Sequence, residues 1–238
     1  MNPSSHLIRV FDNFYDAPDY LRAEALAARY VNHSTEDGSA FGSSTLLAFV
    51  PCNMEDRVCA AFGFERVTLG PAWEGTGCFY HTLAVGEARE EFRVHRDDDI
   101  EPGVPHFALL IYMTPNAPPE CGTGIYRHKE MGAWRQVSEA DAIRLGKTVD
   151  EVEGILDRDD CNKSKWDLIG YADNVYNRAV VYPAHWLHSG TKYFGDSVAN
   201  GRLYHMFFIS GWPDVFAGTE EEVDKLFAAG KGAKFAHV

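Results

Sequence analysis

Residues 106–113, His106-Phe-Ala-Leu-Leu-Ile-Tyr-Met113, form a short apolar run closed by Thr114-Pro115. Runs of the same kind recur at 77–85, 90–95, 123–127, 177–183 and 202–210, several of them alternating on a period of two and separated by Gly, Pro and Asp. Side chains of an extended chain point alternately to opposite faces, so many short runs with turn signals between them predict the strands of a barrel or jelly roll. The expected fold class is mainly β with flanking helices.

Working outward, 137–158 breaks the strand texture. Ser138 opens Glu139-Ala-Asp-Ala-Ile-Arg-Leu145, and a second helical piece follows at Val149–Leu156, so this stretch reads as a helical insertion between strands. Towards the N-terminus, residues 7–12 alternate like a strand and lead to a helix over about 17–31, with Asp16 as cap, Pro18 in the first turn and Leu21, Ala25 and Ala28 on one face. A last helix is expected at 218–229, where Thr219 precedes three glutamates, and the tail after it should fray. There is no internal repeat, low-complexity block or dividing linker, so the expected organisation is one domain over 1–238. A strand-helix support spans about 1–75, and a β core spans about 76–212.

Bulk charge narrows the function. Lys and Arg number 22 against 35 Asp and Glu, a net charge of -13, which disfavours a phosphate backbone as partner and makes nucleic acid the least attractive substrate. No apolar run approaches a membrane span, and the first residues lack the basic and apolar segments of a secretion signal, so the expectation is a cytoplasmic protein with no membrane partner. Five cysteines (Cys52, Cys59, Cys78, Cys121, Cys161) form an odd set without a C-x-x-C pair, which fits neither a disulfide framework nor a zinc ribbon.

The chemistry is concentrated in two places. Phe92-Arg-Val-His95-Arg-Asp97 carries a His-x-Asp pair, whose spacing puts both side chains on one side of an extended chain. The run Ala179-Val-Val-Tyr-Pro183 leads to Ala-His185-Trp-Leu-His188-Ser-Gly190, which offers a third ligand from His188, with His185 as its rival. Two histidines and one carboxylate leave positions open on an octahedral iron, whereas structural zinc takes a closed tetrahedral set. His95-Arg-Asp97 also matches a fragment of the kinase catalytic loop, but the glycine loop and Asp-Phe-Gly of that family are missing. Farther on, Arg202 opens a strand-like run and can grip a carboxylate with two hydrogen bonds, a role that His205 or Lys192 could share.

With these motifs in that order, the sequence resembles the 2-oxoglutarate and iron(II)-dependent oxygenases, in particular their prolyl-hydroxylase-like branch, over roughly residues 76–210. The resemblance implies a double-stranded β-helix, a cupin-like jelly roll. It implies His95, Asp97 and His188 as the catalytic iron ligands, Arg202 as the residue that binds the far carboxylate of 2-oxoglutarate, and Tyr112 as a hydrogen-bonding helper there. Gly122-Thr-Gly124-Ile-Tyr126 looks like the family's next strand, and Asn177-Arg-Ala-Val-Val-Tyr-Pro183 like the strand feeding the distal histidine. Departures are the long gap from His188 to Arg202, Tyr204 where serine is frequent, and the extra 137–158.

The implied cofactors are Fe(II) and 2-oxoglutarate, and the implied activity is hydroxylation by dioxygen with release of succinate and CO2. The substrate is expected to be a small molecule or an amino-acid or peptide side chain. Trp186, Trp134, Tyr126, Arg127 and His128 are candidates for the substrate mouth, and 137–158 is a candidate lid. The rivals are a metal-binding cupin-like isomerase or hydrolase, and a binding module without chemistry. Arg202 discriminates, because only the oxygenase needs it for 2-oxoglutarate.

Overall fold

Alternation along residues 202–209 divides the protein into two sides. Leu203, Phe207 and Ile209 are fully buried in one hydrophobic core, while Met206 belongs to another with Leu110, Tyr112 and Tyr182, and Tyr204 and Phe208 pack against it. The computed structural model that shows this describes residues 9–34, 40–72, 75–86, 91–97, 105–213, 233–234 and 236–237.

In chain order, β1 (Arg9–Phe11) leads to α1 (Pro18–Ala27), β2 (Tyr30–Ser34), β3 (Ala40–Thr45), α2 (Met54–Phe62), β4 (Phe64–Leu69) and β5 (Cys78–Thr82). There follow β6 (His106–Tyr112), β7 (Thr123–His128), α3 (Glu139–Arg144), α4 (Val149–Asp159), β8 (Trp166–Ala172), β9 (Ala179–Pro183), β10 (His188–Gly190) and β11 (Arg202–Pro213). Two short strands, β12 (Ala233–Lys234) and β13 (Ala236–His237), pair parallel with β8 and β1.

The larger sheet runs β13-β1-β9-β6-β11-β5-β3-β2, with β4 also on β11, and the smaller runs β10-β7-β8-β12. Apart from β12 and β13, the described pairs are antiparallel. Ile125, Ile169 and Ala172 of the smaller sheet share one core with Ala108, Leu110, Tyr112 and Val180 of the larger. The two sheets therefore close on one another as a double-stranded β-helix, and the fold is mainly β with a few helices.

Behind the larger sheet, α1 and α2 cover its other face. In α2, Met54, Val58, Ala61 and Phe62 fall on one helical stripe and are buried, together with Leu21 and Ala25 of α1. Burying each of the larger of these side chains contributes about 1.5–3 kcal/mol.

Several expectations are corrected. The first helix stops at Ala27, not 31, because Tyr30 begins a strand paired with Thr45, and the Tyr30 hydroxyl caps the carbonyl of Ala25 at 2.9 Å. Its N-cap is Ala17 without a side-chain bond, since Asp16 is held by Arg57 at 2.6 Å. Of the run expected at 90–95, the described residues 91–95 form no strand and make one isolated bridge, at His95. Strands β2, β3, β4 and β8 and helix α2 were not anticipated individually. The insertion does hold two helices, with complete capping boxes at Ser138 and Thr148. The helix expected at 218–229 lies outside the described residues.

Candidate metal centre

His95 and His188 meet through the backbone. Their N–H groups donate to each other's carbonyls at 3.0 and 2.8 Å, and the Asp97 N–H donates to Ala184 O at 3.0 Å. These bonds lay the His-x-Asp segment beside the chain that leaves β9 and enters β10.

The side chains then converge. The two imidazole centroids are 4.3 Å apart, His188 Nε2 lies 3.7 Å from Asp97 Oδ2, and one donor atom from each of the three residues falls within 4.8 Å of the others. The Nδ1 of His188 is 2.9 Å from Trp186 O, and the Nδ1 of His95 is 3.3 Å from Arg93 O. A carbonyl only accepts, so both ring protons are assigned to Nδ1 and both Nε2 atoms carry the lone pair a metal needs.

The protonation state agrees. Burial pushes His188 down to about 4. His95 opens onto the cavity, but the surrounding protein desolvates it and His188 adds its own charge, so it too lies at about 4. Both rings are neutral at neutral pH, beside one carboxylate. Two imidazoles and a carboxylate around one point fit a divalent transition ion with positions left for other ligands.

A buried guanidinium lies nearby. Arg202 is only 3% exposed; its Nη2 donates to Thr123 Oγ1 at 3.0 Å, and Thr123 Oγ1 shares a hydrogen bond of 2.7 Å with the Tyr112 hydroxyl. The guanidinium carbon sits 4.5 Å from the Tyr204 ring centroid and 5.6 Å from that of Tyr112. Burial raises the Tyr112 pKa, against the opposing influence of Arg202, so the phenol stays protonated. Gly122, just before Thr123, lets the start of β7 lie close against β8, because a Cβ there would strike Ala172 O.

Register links the two groups. On β7, Thr123 pairs with Gly190 and Ile125 with His188, a separation of two residues, or about 7 Å of strand. Both ends open into one cavity of about 470 Å³ that contains His95, Asp97, His188, Thr123 and Arg202 among its lining residues. That volume suits a small ligand together with part of a second.

The remaining sequence candidates lie elsewhere. Tyr112 backs the cavity wall through Thr123 rather than lining it. His205 faces the opposite side of β11: its Nε2 is 2.9 Å from Phe49 O, and its Nδ1 meets the Tyr15 hydroxyl at 2.9 Å. Lys192 is exposed, and His185 is outside the metal cluster. Trp134 and Trp186 pack edge to face in the core, Tyr126 is buried, and His128 bonds Asp159 at 3.1 Å, so none lines the cavity. Thr123 and Tyr182 line it without having been singled out. Parity supplied a signal for Tyr182, which alternates with Val180 on the face of β9 that meets the smaller sheet.

Comparison with known proteins gives one family. A family model described as "Family of unknown function (DUF6445)" matches residues 72–209, a span that contains His95, Asp97, Thr123, His188 and Arg202. No curated protein matches. Among solved structures, the chain is similar to HygX from Streptomyces hygroscopicus with nickel and 2-oxoglutarate bound, at 11% identity and TM-score 0.46, over 87% of this chain and 84% of that one. It is similar to AviO1 from Streptomyces viridochromogenes Tue57 at 13% identity and TM-score 0.43, over 90% and 95%. It is also similar to a Pseudomonas putida prolyl-4-hydroxylase at 12% identity and TM-score 0.36, over 89% and 96%. None of these likenesses assigns a residue here.

Proposed function

We propose that this chain, which belongs to the DUF6445 family of unknown function, is an Fe(II)- and 2-oxoglutarate-dependent oxygenase that hydroxylates its substrate and releases succinate and CO2. One observation carries the reading. Three metal-ligand side chains and a buried Arg202–Thr123 pair share one cavity, two residues apart in strand register. That spacing suits a five-carbon dicarboxylate with one end at the metal and the other at the guanidinium.

Each residue then has a task. His95, Asp97 and His188 hold the ion, and because both imidazoles are already neutral, no proton has to leave them first. Arg202 and Thr123 receive the far carboxylate, while Tyr112 fixes the Thr123 hydroxyl and Tyr204 stacks on the guanidinium. Bound iron(II) with 2-oxoglutarate supplies the activation of dioxygen. The apolar lining of Leu110, Tyr182, Met206 and Phe208 keeps water away and receives the carbon skeleton of the substrate. A small molecule, or an amino-acid or peptide side chain, fits that lining; the net charge of -13 disfavours nucleic acid.

The test is an anaerobic titration of apo-protein with iron(II) and then 2-oxoglutarate, following the visible charge-transfer band of the chelated keto acid. The expected result is a band that His188→Ala and Arg202→Ala both remove, the first by loss of iron and the second with iron still bound. Iron uptake by the wild type without any band would instead favour a cupin-like protein with other chemistry.

A further inference from the structure

His188 is held by a strand, but its partners His95 and Asp97 are not. Among the described residues, segment 91–97 joins no ladder beyond the single bridge to His188. The Asp97 N–H also donates to Ala184 O at 3.0 Å and the Phe92 ring packs on Tyr126 of β7, while both arginines of the segment are held from α4 and its closing residue. Arg93 Nε lies 2.6 Å from Asp160 Oδ2, Arg96 Nη1 lies 2.8 Å from Glu153 Oε2, and the Val94 N–H donates to Asp160 O at 3.0 Å.

The spacing of these pairs matches on both sides. Glu153 and Asp160 are seven residues apart, two helical turns or about 10.5 Å along one face of α4 and its closing residue. Arg93 and Arg96 are three residues apart, about 10 Å of extended chain. Packing does not do this work alone. Val94 shares a core with Val152 and Leu156, but a cavity of about 200 Å³ lies between helix and segment, bordered by Arg96, Glu153, Asp157 and Asp160. The ion pairs therefore span a polar cavity that apolar side chains do not pack across.

The helix is itself fixed to the strands of the site. Val152 is fully buried, Asp159 accepts from His128 on β7 at 3.1 Å, and the Trp166 Nε1–H donates to Asp159 O at 2.8 Å. Strand β7 also carries Thr123 and pairs with the strand of His188. We propose that α4 is a buttress rather than a lid, in which Glu153 and Asp160 are positioning residues that act through Arg96 and Arg93 to hold His95 and Asp97 at the distance from His188 that a divalent cation requires. The inference rests on the reading of these three residues as metal ligands.

Cobalt(II) titrated into the full chain, followed by its visible d–d spectrum, tests it. Glu153→Gln, Asp160→Asn and Arg96→Gln are each expected to weaken cobalt affinity about tenfold and to change the band shape, with thermal unfolding and far-UV circular dichroism unchanged. Arg96→Lys should restore most of the affinity, and Asp157→Asn, which makes the same charge change as Glu153→Gln on the same cavity, should leave it within about twofold. The signs are decisive. Simple charge effects would make Arg96→Gln bind a cation more tightly and Glu153→Gln less tightly, whereas a buttress requires both to bind less tightly. Wild-type affinity or better in Arg96→Gln overturns the buttress. A wild-type protein that shows no cobalt uptake sensitive to His188→Ala overturns the metal-centre reading, and this inference with it.

Discussion

The two faces of β11 carry different tasks on one strand. Arg202, Tyr204, Met206 and Phe208 look into the cavity, whereas Leu203, His205, Phe207 and Ile209 look the other way, into the core beneath α1 and α2. A polar group is present on each face, yet its partners differ. Arg202 stands on the cavity wall with its Nη2 on Thr123 Oγ1. His205 spends both ring nitrogens inside the protein, on Tyr15 and on the carbonyls of Phe49 and Gly77. An odd step of three residues along one strand turns Arg202 to the cavity and His205 to the core.

Substitutions on the two faces should separate along the same line. The largest effect is expected from Phe207→Ala, which opens a hole in the helix-side core and should cost about 3–5 kcal/mol in chemical denaturation while leaving cobalt affinity unchanged; a change in affinity of similar size would mean that the faces are coupled. Next, His205→Phe leaves the Tyr15 hydroxyl and two carbonyls without their partner, and should cost about 1–3 kcal/mol, again without touching the metal site.

The same histidine gives the comparison a pH signature. Burial holds His205 at about 4, below the value of about 6.5 in an unfolded chain, as it does for His95 and His188. Between these values the unfolded state binds more protons than the folded one, so stability is full above about pH 6.5 and is lost as the pH falls towards about 4. Denaturation midpoints measured across that window should fall less steeply in His205→Phe than in the wild type, and an unchanged slope would count against a neutral buried ring. The smallest effect belongs to the cavity face. Tyr204→Leu removes the ring stacked on Arg202 and should weaken 2-oxoglutarate binding by about fivefold, corresponding to about 1 kcal/mol, with unfolding unaffected, as calorimetry would show.

Much of the site was legible because it is written in short-range geometry. His95 and Asp97 share a side in any extended chain, and Ser138 announces a helix through a capping box closed within four residues. Legibility failed where a distant partner intervened. Tyr30 extends a helical pattern on paper, but pairing with Thr45 turns it into a strand. The run 90–95 has strand composition, yet Asp160 takes the N–H of Val94 that a neighbouring strand would otherwise use. Thr123 offered no signal, since its importance comes from Arg202 and Tyr112 reaching it from the other sheet.

The sequence by itself determined the strand texture, the helical insertion, the candidate metal-binding side chains and the shared side of His95 and Asp97 on an extended segment, because these depend on backbone periods of a few residues. The tertiary structure alone decided that His95 reaches His188 through one bridge, that Thr123 stands between Tyr112 and Arg202, and that Glu153 and Asp160 pair with Arg96 and Arg93. Those contacts join residues far apart in the chain. Their geometry exists only once burial of the shared cores has offset the entropy of bringing the segments together.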